Sequence, residues 1–199
     1  MKILIACEYS GRVRDAFIKL GHNAVSCDLM GTESSKGPHH QGNVLDIIND
    51  GWDMMIAHPP CTYLCASGLH LSQKHPQRQQ RTEQAAEFVM ALWAAPIPYI
   101  CIENPVGCLP SYIGPATQWI QPYQFGRNAS KKTGLWLKDL PLLKPTFVIS
   151  PRYVDGKPRW ANQTDSGQNK LSPSKDRWIK RSRTYRGIAK AMANQWSFL

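Results

Sequence analysis

The chain has 199 residues, 42% of them hydrophobic and 19% charged, with a formal net charge of +10. That apolar share excludes wholesale disorder, and the length suits one domain with a real core. No run approaches the roughly 20 apolar residues that span a bilayer, so a soluble, non-secreted protein with no membrane partner is expected.

Lys2 to Cys7 is a short apolar run that reads as a strand ending in the turn Glu8-Tyr9-Ser10-Gly11. Val13, Phe17, Ile18 and Leu20 then fall at roughly helical spacing, and Gly21-His22-Asn23 stops that helix. Ala24 to Cys27 reads as a second strand, closed by Asp28. Strand, turn, helix, strand with a terminal acid is the opening unit of a doubly wound, mostly parallel α/β sheet of the nucleotide-binding type. Residues 30–41 read as a polar loop, 43–48 as a short element, and 53–57 as an apolar strand that delivers His58-Pro59-Pro60-Cys61. Residues 64–80, rich in Gln and His, are expected as a mobile loop. Thr82 to Ala95 reads as a helix with Ala85, Ala86, Phe88, Val89 and Leu92 on its apolar face. Pro98 to Ile102 is a further strand, handing over Glu103-Asn104-Pro105. Residues 106–120 read as loop with a short turn and Gly134 to Leu137 as a strand. Residues 150–180 are weakly patterned. Tyr185 to Trp196 closes the chain as a helix with Ile188, Ala189, Met192, Ala193 and Trp196 on one side.

Charge is unevenly placed. Residues 1–120 carry 8 Lys/Arg against 10 Asp/Glu, whereas residues 121–199 carry 16 against 4. A near-neutral first part and a strongly basic last part, interleaved with Tyr123, Trp136, Tyr153, Trp160, Trp178, Tyr185 and Trp196, suit phosphates and unstacked bases. Nucleic acid is the expected partner.

Six cysteines stand at 7, 27, 61, 65, 101 and 108. Without secretory signals, reduced thiols are expected rather than a disulfide framework. No metal is expected, since Cys61 and Cys65 lack a second pair at finger-like spacing and His39, His40, His70 and His75 form no ligand pattern. Cys7, Cys27, Cys101 and Cys108 read as small buried hydrophobes, and Cys65 as structural. Cys61 differs. Two prolines stiffen its loop, so its thiol is presented at the carboxyl edge of the sheet, where open parallel sheets bind ligands. Glu8-Tyr9-Ser10-Gly11, Asp28 and Glu103-Asn104-Pro105 end neighbouring strands on that edge, which makes a site.

These residues resemble the cytosine carbon-5 DNA methyltransferases, and in particular the abbreviated enzymes of bacterial viruses. His58-Pro59-Pro60-Cys61 is similar to the nucleophile motif of that family and Ile102-Glu103-Asn104-Pro105 to its Glu-Asn motif. Ala6 to Gly11 resembles the first cofactor turn. Asp28 stands where an acid grips the cofactor ribose, and Asn43 where an Asp contacts the adenine. Phe125 to Leu137 resembles the basic motif, with Lys131 in place of an Arg, and Ile188 to Trp196 the closing helix.

The resemblance implies a Rossmann-like fold and S-adenosyl-L-methionine as cofactor, bound by Glu8, Tyr9, Ser10, Gly11, Asp28, Asn43 and Pro59. Methyl transfer to carbon-5 of a flipped cytosine in duplex or single-stranded DNA would run through a Cys61 adduct, with Glu103 and Asn104 as the other catalytic residues. Lys131, Lys132 and Arg183 would hold the backbone. Residues 1–137 and 181–199 would form the catalytic domain, and 138–180 a small basic insert in place of a full recognition domain. So short an insert leaves room for a homodimer or a helper protein. The implied setting is the cytoplasm of a bacterial host, where restriction protection and altered expression both fit. Free cytosine nucleotide or RNA as substrate, and a non-catalytic decoy, are the competing expectations.

Overall fold

The first strand decides the architecture, because it has no side that faces water. In the computed structural model, which describes residues 1–72 and 75–198 and the side chains of all of these but 70–72, strand β1 (Lys2–Ala6) buries Ile3, Leu4, Ile5 and Ala6 completely. Ile3 and Ile5 join one apolar cluster while Leu4 and Ala6 join the other. Alternate residues of a strand point to opposite faces, so a strand apolar at every position needs a covering layer on each side. Strand β4 (Met54–Ala57) repeats the pattern, with Met54 and Ile56 in one cluster and Met55 and Ala57 in the other.

The covering layers are helical. Helix α1 (Arg12–Ile18) and the last helix, α6 (Arg186–Trp196), pack on one face through Val13, Phe17, Ile188, Met192 and Trp196. Helix α3 (Pro76–Trp93) covers the other through Ala86, Val89 and Leu92. The remaining helices are short: α2 (Ala66–Ser72), α4 (Pro110–Ile113) and α5 (Arg177–Ser182).

Between the layers lies a seven-stranded sheet in the order β3-β2-β1-β4-β5-β7-β6. Its other strands are β2 (Asn23–Asp28), β3 (His39–Gln41), β5 (Tyr99–Pro105), β6 (Gln118–Ile120) and β7 (Thr133–Lys138). Strands β1 to β5 pair in parallel, and β7 runs antiparallel to both β5 and β6. The expected α/β doubly wound, mostly parallel sheet is therefore what the chain forms. The winding reverses between β1 and β4, which opens a crevice at their carboxyl ends.

Several boundaries differ from the sequence reading, each for a local reason. Residues 66–72 and 76–80 are helical, not loop; Gln and Arg are good helix formers, and their polar surface hid the period. Residues 73–74 of that expected loop lie outside the described residues. Within the expected loop 30–41, His39–Gln41 pairs with the edge of β2. Residues 106–120 contain α4 and β6. Glu103 and Asn104 lie inside β5, not after it, since β7 pairs along its whole length. In the weakly patterned stretch, β8 (Arg152–Val154) and β9 (Lys157–Arg159) form a hairpin whose turn is Asp155-Gly156, a recognised hairpin dipeptide. Leu140 and Leu143, within 138–180, pack into the main core.

Candidate active site

The carboxyl ends of β4 and β5 are tied together by two side chains. His58 Nδ1 and Glu103 Oε2 lie 2.9 Å apart, each side chain only 10% exposed. Asn104, fully buried in effect, donates from Nδ2 to the Pro59 carbonyl at 3.1 Å. The backbone adds two more links. Ala66 N donates to Val106 O at 2.8 Å and Cys108 N to Leu64 O at 2.9 Å. The loop that carries Cys61 is thus fastened to the strand that carries Glu103.

Burial opposes charge on His58, but its hydrogen bond to Glu103 and the charges of Glu103 and Glu8 outweigh that and raise its pKa. Burial likewise opposes ionisation of Glu103, and the His58 hydrogen bond and charge, with Lys131 behind them, hold its carboxyl below the usual range. The contact thus favours a proton on His58 and the charge on Glu103. His58 was missed as a functional residue in the sequence, although it opens the same His-Pro-Pro-Cys run.

All six cysteines are free thiols. Cys61 is exposed and hydrogen-bonds to Cys65, so the two titrate as a pair. The Cys65 pKa is lowered to about 5, first through the Cys61 hydrogen bond, then through those from Ser67 and Gly68 against the cost of burial. Ser67 Oγ lies 3.2 Å from its sulfur. The Cys61 thiol is correspondingly pushed up, while Lys131 and Arg181 pull it the other way. Cys65 therefore has a polar partnership that its reading as a structural residue did not include. Burial pushes up Cys7, Cys101 and Cys108, and raises Cys27 to about 11, as suits inert thiols.

Across the crevice, the turn after β1 is occupied by its own helix. Buried Glu8 accepts from Val13 N at 2.7 Å and Arg14 N at 3.3 Å, and Ser10 Oγ donates to it at 3.2 Å. A carboxylate there satisfies the unpaired amides that open α1. Gly11 sits at φ +66, and a Cβ on it would come within 2.9 Å of Ser34 Cβ. Tyr9 donates its hydroxyl to Ile179 O at 2.5 Å, pinning α5. Buried Arg14, unnoticed in the sequence, pairs with Asp15 at 2.8 Å and donates to Ser26 Oγ and Ser34 O, which holds the 30–38 loop down.

A cavity of about 340 Å³ opens between β1, β2 and the Pro-Pro loop, lined by Cys7, Asp28, Leu29, Asn43, Pro60 and Phe88 among others. Of the residues expected to hold a cofactor, Asp28 and Asn43 line it. Glu8, Tyr9, Ser10, Gly11 and Pro59 do not, and Cys7 and Pro60 stand in their place. Asp28 Oδ1 accepts from Met30 N at 2.9 Å, and no donor among the described residues takes its Oδ2. Asn43 Oδ1 accepts from Leu45 N at 3.1 Å and so shapes the 3-10 turn Val44–Asp46. Leu29 is 75% exposed at the cavity.

Of the expected backbone-holding residues, Lys131 lies nearest the site. It acts electrostatically on Cys61, His58 and Glu103 alike, so those groups share one neighbourhood. Its Nζ donates to Arg181 O at 3.2 Å. Lys132 sits 4.8 Å over the Trp119 ring. Arg183 is engaged elsewhere, in a two-point pair with Glu33 at 2.9 and 2.5 Å. Arg127 and Arg181, which the sequence did not single out, face the Tyr185 hydroxyl. Among the described residues no group of three or more His, Cys, Asp or Glu is gathered as a metal site. His39 is fully engaged by Ser26 Oγ and Met30 O, and the side chain of His70 lies outside the described residues. No described helix is long and apolar enough to cross a membrane.

No protein-family model and no curated protein matches the sequence. Among solved structures, an E. coli prophage-encoded protein named as a DNA modification methyltransferase aligns with TM-score 0.45 and 13% identity, over 74% of this chain and 51% of that one. WbdD, crystallised with the kinase inhibitor LY294002, aligns with TM-score 0.43 and 10% identity, over 76% of this chain and 39% of that one. The chain spans about half the length of the first of these. Likenesses this distant say nothing of what the site does.

Proposed function

We propose that the chain transfers a methyl group from S-adenosyl-L-methionine to carbon-5 of cytosine in DNA. The observation that carries this reading is the joining of an exposed thiol, Cys61, to a carboxylate strand, Glu103-Asn104, at the same sheet edge as a cavity lined by the acid Asp28.

The cavity suits the nucleoside end of the cofactor. Asp28 Oδ2 is placed to take ribose hydroxyls, and Leu29 and Phe88 offer apolar faces to a purine. The bound cofactor supplies an electrophilic methyl group on a sulfonium. Carbon-5 of cytosine is a weak nucleophile, and the chain's own residues must activate it. Cys61 loses its proton to solvent, with Lys131 and Arg181 favouring the thiolate, and adds to carbon-6, which makes carbon-5 electron-rich. Glu103 holds the base edge, and Asn104, bonded to the Pro59 carbonyl, positions the thiol loop without touching the base. Lys131 offsets the charge of the thiolate. A target in a duplex must first leave the stack, which costs a few kcal/mol. Lys131, Lys132, Arg181 and the basic segment 138–180 are assigned to the backbone during that step.

Incubation with methyl-labelled cofactor and, in separate tubes, duplex DNA, single-stranded DNA, RNA and free cytidine nucleotides tests the reading. Digestion of the duplex product should give labelled 5-methylcytosine. Label on RNA or nucleotide alone would change the substrate, and label on nothing would leave a binding protein. Asp28→Ala should weaken S-adenosylhomocysteine by about 10–100-fold in calorimetry, the scale of a lost charge-assisted bond. An unchanged Kd would move the cofactor out of this cavity.

A further inference from the structure

His58 stands at the centre of the site and the reaction as drawn gives it nothing to do. Its ring is fixed by the 2.9 Å contact between Nδ1 and Glu103 Oε2. Its second nitrogen, Nε2, is buried without a partner among the described residues. An imidazole is costly to bury beside a carboxylate unless a proton is shared between them. A strand end needs only a small residue or a turn there, and a neutral amide would hold Glu103 as well.

We propose that His58 is the proton reservoir of the base-edge carboxylate, so that the His58–Glu103 pair, and not Glu103 alone, carries the proton that N3 of cytosine takes up. This rests on the cytosine reading above. In the addition step the Cys61 sulfur lone pair forms the S–C6 bond. The C5=C6 π pair moves between C5 and C4, and the C4=N3 π pair moves onto N3. N3 must then gain a proton. Glu103 paired with an imidazolium is a carboxylate and has none to give. The pair as a whole holds two protons, on Nδ1 and Nε2, and the tautomer with a neutral imidazole and a carboxylic acid is the same species with one proton moved. In that tautomer the Nδ1 proton has crossed to Oε2, which donates back to Nδ1 and is the oxygen that hands the proton to N3. After C5 takes the methyl group, solvent removes the C5 proton, the C5–H pair re-forms C5=C6 as the S–C6 bond breaks, and N3 returns its proton to the pair. His58 acts through Glu103 and is a positioning residue in this sense.

The groups that face His58 set the range over which the pair keeps its proton. Glu103 on β5 and Glu8 on the β1–α1 turn favour it, and Lys131 beside β7 opposes it. Glu103 in turn is faced by Lys131, Cys101 and Tyr185. With the imidazole raised above its ordinary 6.5, the competent form persists below that raised value and is lost as pH climbs through it. Replacing His58 leaves Glu103 as sole holder, and the competent form is lost at a lower pH.

His58→Asn, which can keep a donor to Glu103, is the test. Methyl transfer to duplex DNA is followed as kcat/KM against pH for both proteins, with folding checked by circular dichroism. The variant's alkaline limb should move to lower pH by about one unit or more, so that its deficit grows with pH. A deficit equal at every pH would mean a merely structural role and would overturn the proposal. A second measurement needs no turnover. In NMR titration of histidine-labelled full chain, His58 should titrate above the ordinary imidazole value, and Glu103→Gln should bring it down. A His58 that titrates at or below that value, or that ignores Glu103→Gln, overturns the proposal with the enzyme active. Wild-type protein inert towards cytosine, with His58 titrating high, would instead sink the cytosine reading and with it this use of the pair.

Discussion

Cys61→Ala should lower methyl transfer to cytosine by at least about 10³-fold, the scale at which loss of a covalent nucleophile is felt. The substitution removes an exposed side chain, so stability should change little, and circular dichroism and the melting temperature check that. DNA bearing 5-fluorocytosine should form a denaturant-resistant adduct with the wild type and none with the variant. Cys65 sharpens the prediction. Because the hydrogen bond and charge of Cys65 push the Cys61 thiol up, Cys65→Ser should keep the nucleophile and let it ionise more readily. Its rate at neutral pH should hold or rise, with the thiolate limb of the pH profile moved to lower pH towards the ordinary thiol range. An adduct formed through Cys65 in the Cys61 variant would exchange the roles of the two sulfurs. Undiminished transfer by both single variants would remove thiol chemistry altogether.

Gly107→Ala should be among the most damaging substitutions outside the reacting groups. A Cβ at Gly107 would lie 1.8 Å from Leu64 O and 2.9 Å from Cys65 Cα. Both are backbone, so no side chain can swing aside. Relief requires parting the Cys65–Gly107 bridge, with its Ala66–Val106 and Cys108–Leu64 hydrogen bonds. Those bonds hold the Cys61 loop against the strand of Glu103. Misplacement of reacting groups by about 1 Å costs on the order of 10²-fold. Transfer should fall by at least that much, with a lower melting temperature from the lost bonds and overpacking. Calorimetry with S-adenosylhomocysteine separates this from general unfolding, since the cavity proposed for the cofactor is lined by other residues and its Kd should hold. A variant with normal rate would show that the two loops need no fixed spacing.

The apolar runs of β1 and β4 and the one-sided pattern of α6 announced a covered parallel sheet, because periodicity and burial are local properties of a sequence. The same holds for His-Pro-Pro-Cys after β4, whereas Glu103-Asn104-Pro105 lies within β5, which its pairing with β7 extends. Less local features escaped. The polar surface of α3 hid its first turn, and β3 is three residues whose strand character exists only in pairing with β2. The Asp155-Gly156 turn was readable and was passed over.

By itself the order of residues determined the fold class and the presentation of Cys61, Asp28 and Glu103 at one sheet edge, since strand ends in a parallel sheet converge whatever their side chains do. Tertiary structure alone decided the partners. It turned Glu8 onto the opening amides of α1, tied Arg183 to Glu33, put Cys7 and Pro60 at the cavity, and set His58 on Glu103 across 45 residues of chain. Such pairings depend on the direction of side chains from separate elements, and no spacing within one segment encodes that direction.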